Sequence, residues 1–419
     1  MTIKFLNSEW KSLLESSSLV MVLKILGALG GYAFVWAVIN VYGSKSYGVF
    51  EVAFTFLSIL ATLSKWGSDG IMMREIAKMN RQEGWDFARK IQSFVGISSF
   101  LIGVILFFSA NSVEEFLNED GLAYVLRLVA FTLPFFSLFQ IHSEYLRARK
   151  NWLLYGVFQT SFFLGLISIL VYVLPEFKMG PMGFLLGVSI LAFISIRRNG
   201  PLFINSWPSL KVYAPSATSM FLTGALFMIM SWSDTLALSY FLDAEDVANY
   251  RVAFKIATLI TFTQFAVNAQ IAPQISALWS QQKRTELQSL IYRASLINTI
   301  IGIPLFLVLV FFGEWFLSIF GEGFESLLHI LRILSFGQVV NALCGPVMYI
   351  LNMTGNENHA RNTMVGAVIL NITANIIFIP IYGLLGAAWA TSCSMILWNI
   401  WALIVGYRRT GIRTLIFWR

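Results

Sequence analysis

Two stretches of this chain, two hundred residues apart, repeat one another without a gap. Phe50-Glu51-Val52-Ala53-Phe54 returns as Tyr250-Arg251-Val252-Ala253-Phe254, each after a short polar loop (43–47 and 243–247) and each opening a long apolar run. Other landmarks keep the same order. Leu126-Arg127-Leu128-Val129-Ala130-Phe131 is answered by Leu331-Arg332-Ile333-Leu334-Ser335-Phe336, and these runs lead to Pro134 and Pro346. Gly180-Pro181-Met182-Gly183 and Gly383-Leu384-Leu385-Gly386 precede the last apolar run of each half. The halves close on Arg197-Arg198-Asn199-Gly200 and Arg408-Arg409-Thr410-Gly411. So long a period does not describe a solenoid; it describes a duplicated membrane lobe, the way transporters are built. The expected fold is an all-α integral membrane protein of about twelve transmembrane helices. They form two pseudo-symmetric six-helix lobes, residues 1–200 and 201–419, around a central cavity.

Composition agrees about the solvent. The chain is 57% hydrophobic and 12% charged, with mean hydropathy +0.71, outside the soluble range. Apolar runs long enough to cross a hydrocarbon core of roughly 30 Å recur throughout. They fall at about 19–40, 48–66, 92–110, 122–146, 152–174, 181–196, 215–242, 247–275, 290–313, 326–351, 362–381 and 384–407. The first is not a cleaved signal: Glu9 and Glu15 precede it, Lys24 interrupts it, and no small-x-small site closes it. Of the 29 Lys and Arg residues, 21 fall in the termini and alternate loops and three in the intervening loops. That split places both termini in the cytoplasm. The net charge of +7 therefore reads as contact with anionic lipid, and no nucleic-acid partner is implied. No loop exceeds about 25 residues, which excludes a soluble catalytic domain. Cys344 and Cys393 lie in apolar spans and read as packed thiols.

A bundle without soluble domains must work within the membrane, where ionisable side chains are costly and mark a pathway. The basic ones are Lys24, Arg127, Arg251, Lys255 and Arg332; the acidic ones are Glu51 and Asp234. Arg251 and Lys255 share a helical face, and Arg127 and Arg332 hold equivalent places in the two halves. The five cations are expected to line the cavity and bind an anionic headgroup. Lys24, Arg127 and Arg332 also lie within reach of an interface by snorkelling. Glu51 and Asp234 read either as ion-coupling carboxylates or as members of a lumenal ion pair, with Lys255, Lys24 or Arg251 as partners. Asp234 is too deep for an acid to snorkel. His142, Glu144 and Arg147 resemble a catalytic trio in composition alone, and three scattered histidines give no metal signal. No Gly-rich phosphate loop follows a strand, so no cofactor and no ATP-driven step is expected. Gly67-Ser68-Asp69-Gly70 reads as the start of an amphipathic interfacial helix. Pro134, Pro304 and Pro346 are expected kinks.

Four stretches carry a family resemblance. Tyr42-Gly43-Ser44-Lys45-Ser46-Tyr47-Gly48-Val49-Phe50, residues 67–77, Ser233-Asp234 through Tyr250-Arg251-Val252-Ala253, and residues 337–346 with Leu351-Asn352-Met353-Thr354-Gly355 resemble a known exporter group. That group is the polysaccharide-transport branch, which includes O-antigen flippases, of the multidrug/oligosaccharidyl-lipid/polysaccharide exporter superfamily. One departure is Asp243, which stands where the family commonly has Gly. The resemblance implies a flippase, not an enzyme. It would move an undecaprenyl-diphosphate-linked O-antigen repeat from the cytoplasmic to the outer leaflet of a bacterial inner membrane. It further implies membrane lipid, a polysaccharide polymerase and a chain-length regulator as partners. Five basic against two acidic residues within spans suit a diphosphate. The runner-up is an ion-coupled exporter of organic cations, which calls for an acid in the first span; residues 19–40 hold none. An O-antigen polymerase or ligase would need a large external loop.

Overall fold

A computed structural model describes residues 25–76, 79–149, 151–158, 160–197 and 211–416. Among these residues the twelve expected spans all fall on helical segments, and no strand is present. The first eight helices are α1 (Ile25–Tyr42), α2 (Ser44–Lys65), α3 (Ser68–Ile76), α4 (Arg81–Leu117), α5 (Leu122–Ala148), α6 (Trp152–Val157), α7 (Thr160–Val173) and α8 (Gly180–Arg197). They continue as α9 (Ala214–Phe241), α10 (Ala244–Ala257), α11 (Phe262–Ser280), α12 (Arg284–Ser318), α13 (Leu328–Cys344), α14 (Val347–Met353) and α15 (Glu357–Thr410). The chain divides into two compact units, Met1–Ala225 and Leu226–Arg419. The expected join at 200/201 lies outside the described residues.

In the first unit, the connector after α2 turns on Gly67 at φ +73, where a Cβ would strike the backbone of Ala217. Trp66 stacks on Phe221 with ring centroids 4.3 Å apart, which fixes the start of α9 against this turn. The expected amphipathic helix is α3, burying Ile71, Met72 and Ile76 against Phe87, Ile91 and Val95. Next, α4 opens on a capping box. The Asn80 side chain accepts from the Glu83 N–H while Glu83 reaches back to the Asn80 N–H. Arg149 donates to the carbonyls of Met79 (3.0 Å) and Asn80 (2.5 Å), tying this entry to the end of α5. Further along, Gly103 lets α4 approach the Ala130 backbone of α5. The opposite face of α4 turns Leu101, Ile105 and Phe108 outward at 56%, 68% and 80% exposure. Large apolar side chains at i, i+4 and i+7 on an outer face need a hydrocarbon solvent.

In the second unit, Ile412 of the C-terminal segment packs with Ile271, Ile275, Leu287 and Ile291. Gly337 lets α13 meet Ser392, whose hydroxyl donates to the Ile333 carbonyl at 2.8 Å. The expected kink at Pro346 is a full break between α13 and α14, with Gly345 at φ +73. Two other prolines behave differently. Helix α5 continues through Pro134, and the non-helical residue of α12 is Phe312, eight positions beyond Pro304. Eleventh and twelfth spans are both arms of α15, parted at Gly383 (φ 56°, ψ −134°). There Gly386 lies against the Phe378 carbonyl eight residues back, so the chain turns back on itself.

Candidate functional site

Asp234 lies seven residues before the end of α9 and is 5% exposed. A carboxylate at that depth must be hydrogen-bonded or neutralised. Three neutral groups hold it. The Thr391 hydroxyl donates to Oδ2 at 2.8 Å, the Tyr250 hydroxyl reaches the same oxygen at 3.1 Å, and Asn375 Nδ2 donates to Oδ1 at 2.7 Å. The two hydroxyls stand 2.7 Å apart. Asn371 extends the cluster, its Oδ1 accepting from Ser233 (2.6 Å) and from Asn375 (3.2 Å).

The local sequence explains the assembly. Asn371 and Asn375 are one turn apart on the first arm of α15, and Thr391 is on the second. The reversal at Gly383 brings the arms together around Asp234. Tyr250 comes from α10, whose start is capped by Asp243, its side chain accepting from the Asp246 N–H at 2.9 Å. Hydrogen bonds to a charged acceptor contribute about 1.5–3 kcal/mol each, so three offset a burial penalty of several kcal/mol. One buried atom is left over: Asn375 Oδ1 has no hydrogen-bond partner. The chemistry on offer is one carboxylate and several neutral oxygens, hard donors with a single formal charge. That set suits a proton or a monovalent hard cation. No group of three or more His, Cys, Asp or Glu placed to hold a metal ion exists among the described residues.

The other expected site residues are distributed as follows. Lys24 lies outside the described residues. Arg251 and Lys255 are half-buried on α10, and the Arg251 guanidinium sits 4.8 Å over the Trp232 ring and 5.7 Å from that of Phe254. Glu51 is buried and accepts from the Tyr47 hydroxyl at 2.5 Å. Arg127 donates to Asn111 Oδ1 (2.9 Å) on α4 and lies 5.8 Å over the Phe107 ring. Arg332 gives two N–H groups to the Val310 carbonyl (3.0 and 2.9 Å) on α12, beside the Phe312 irregularity. Each arginine thus ties the fourth span of its half to the third, α5 to α4 and α13 to α12. The would-be trio separates: His142 is enclosed by Trp85, Tyr145 and Phe158 with Gln92 on Nδ1, while Glu144 pairs with Arg147. Sequence reasoning found Asp234 but missed Tyr250, Asn371, Asn375 and Thr391. The available signal was two asparagines at i, i+4 in an apolar span.

Long apolar helices with outward-facing apolar surfaces, and a buried carboxylate held by neutral donors, define a polytopic all-α membrane protein. The chain belongs to the polysaccharide biosynthesis protein family, whose model matches residues 43–329. Among its relatives is the probable flippase AglR of Haloferax volcanii, 24% identical over 412 residues, covering 90% of this chain and 81% of the relative. A second Haloferax volcanii protein, the probable low-salt glycan biosynthesis flippase Agl15, is 30% identical over 168 residues, 39% of this chain and 35% of the relative. The fold is similar to that of a solved structure described as the lipid II flippase MurJ, inward closed conformation. That likeness has a TM-score of 0.75 and 16% identity over 94% of this chain and 87% of the other. The MATE multidrug transporter DinF-BH shares it at TM-score 0.66 and 16% identity, over 98% and 97%.

Proposed function

We propose that this protein is a flippase that carries a lipid-linked oligosaccharide from the cytoplasmic to the outer leaflet, coupled to an ion or proton exchanged at Asp234. The observation that carries the coupling is the buried Asp234 carboxylate held by Tyr250, Asn375 and Thr391. Family membership and the names of the Haloferax relatives support a glycan cargo. In this reading the lipid tails stay in the bilayer while the polar headgroup crosses. Arg127, Arg251, Lys255 and Arg332, with Lys24, attract the diphosphate, and Glu51 is the second membrane acid. In its finer form the reading names an undecaprenyl-diphosphate-linked O-antigen repeat in a bacterial inner membrane. Both termini are then cytoplasmic, and a polymerase and chain-length regulator act downstream. No bond of the cargo is made or broken.

The drug-exporter reading remains the comparison, because the same fold serves it. The excess of cations over acids within the spans favours an anionic cargo. Cells lacking this chain should accumulate the lipid-linked oligosaccharide on the cytoplasmic leaflet, and proteoliposomes carrying it should flip that lipid. Efflux of an organic cation without lipid flipping would reverse the assignment.

A further inference from the structure

The opposite end of the second unit carries a different feature, a polar cavity of about 580 Å³. We infer that it binds the phosphate of an anionic lipid headgroup in the leaflet to which the charge split assigns the chain termini. This depends on membrane placement and is independent of the flippase reading.

Two arginines from separate elements line the cavity, Arg284 in the first turn of α12 and Arg409 in the last turn of α15. The Arg284 guanidinium lies 3.1 Å over the Trp279 ring. Stacking covers its face and leaves the N–H edges for planar acceptors, the arrangement in which guanidinium takes phosphate oxygens in pairs. Among the described residues neither guanidinium has a carboxylate partner. Nearby Glu286 pairs with Lys283 at 3.3 Å, and Arg408 and Arg413 add further positive charge. Two like charges on one cavity repel unless an anion comes between them.

The frame is rigid. After α15 the chain turns at Gly411 (φ +71°), and Gln288 clasps the backbone of Arg413 from both sides. Gln288 Nε2 donates to the Arg413 carbonyl at 2.7 Å, and the Arg413 N–H donates to Gln288 Oε1 at 2.9 Å. Ile412, 5% exposed, anchors the turn in the core. The N-terminal N–H groups of α12 add a favourable dipole. Trp279 is the residue type that settles at headgroup depth, which points to a lipid phosphate over a free one.

The test uses the full-length protein in detergent, with bound lipid counted by native mass spectrometry. Arms contain phosphatidylglycerol, phosphatidylcholine or inorganic phosphate. Phosphatidylglycerol should be retained in preference to phosphatidylcholine. Arg284→Gln with Arg409→Gln should weaken it at least about tenfold, the loss of one charge-assisted bond or more. Removing two cations elsewhere, Arg81→Gln with Lys90→Gln, should not. The charge-retaining pair Arg284→Lys with Arg409→Lys must bind more phosphatidylglycerol than the Gln pair. Equal binding of the two lipids, equal loss in the control pair, or equal behaviour of the Lys and Gln pairs would overturn the proposal. So would displacement of phosphatidylglycerol by inorganic phosphate at comparable concentration, which would make the site one for free phosphate.

Discussion

The same ring position meets opposite chemistry in the two halves. In the first unit Phe50 packs on Phe34 with centroids 4.9 Å apart; two hundred residues on, Tyr250 turns its hydroxyl to Asp234 at 3.1 Å. The neighbouring stack is unchanged: Phe50 on Phe54 at 5.6 Å and 19°, Tyr250 on Phe254 at 6.0 Å and 16°. So the repeat keeps its packing while one half exchanges a phenyl pair for an acid and a phenol. The helix entry diverges in parallel. Gly43 opens α2 at φ 85° with no side-chain cap, and Asp243 opens α10 at φ −94° with its carboxylate on the Asp246 N–H. Where the family commonly has Gly, this chain thus has a cap that needs no left-handed residue. Duplication supplied the scaffold, and polar specialisation went to different helices in each half: Glu51 on α2, Asp234 on α9.

The largest expected effect separates the halves by function. In proteoliposomes, Asp234→Asn should abolish gradient-stimulated flipping while gradient-independent exchange survives. Equal loss of both modes, with poor folding, would make the carboxylate structural. Next comes stability. Phe34→Asp places a buried acid against the Phe50 ring, and should cost about 3–5 kcal/mol. Adding Phe50→Tyr should recover part of that by supplying a donor, a coupling read from thermal midpoints. A neutral Phe34→Asp would break the comparison. The smallest effect belongs to the entry loop. Burial first, then Asp243 and Glu245, raise the Asp246 carboxyl above its ordinary value. Its folded form holds the proton more tightly, so the penalty is absent at low pH and grows as pH rises through the carboxylate range. Asp246→Asn should therefore raise the thermal midpoint by about 1–2 °C at neutral pH, the gain vanishing on acidification.

Much of the helical architecture is legible in the residues, because apolar length is imposed by the bilayer alone. Asp234 stands out for the same reason, as an acid in an apolar run has few excuses. Its partners do not, since Asn371, Asn375 and Thr391 are uncharged and common within spans; only the reversal at Gly383 makes them neighbours. The equivalence of Arg127 and Arg332 is visible in sequence, whereas their acceptors are an amide and a backbone carbonyl that carry no pattern. Pro304 misleads because a helix can pass through a proline when its neighbours take up the strain; the irregularity settles at Phe312 instead.

The depth of Asp234 has an electrical consequence. Seven residues of helix span about 10 Å, roughly a third of a hydrocarbon core of ~30 Å. A unit charge that reaches the carboxylate over that shorter route crosses about a third of the membrane field, worth ~0.8 kcal/mol per 100 mV. Occupancy of Asp234 would then change about fourfold for each 100 mV, which makes the resting potential itself a driving force at this residue.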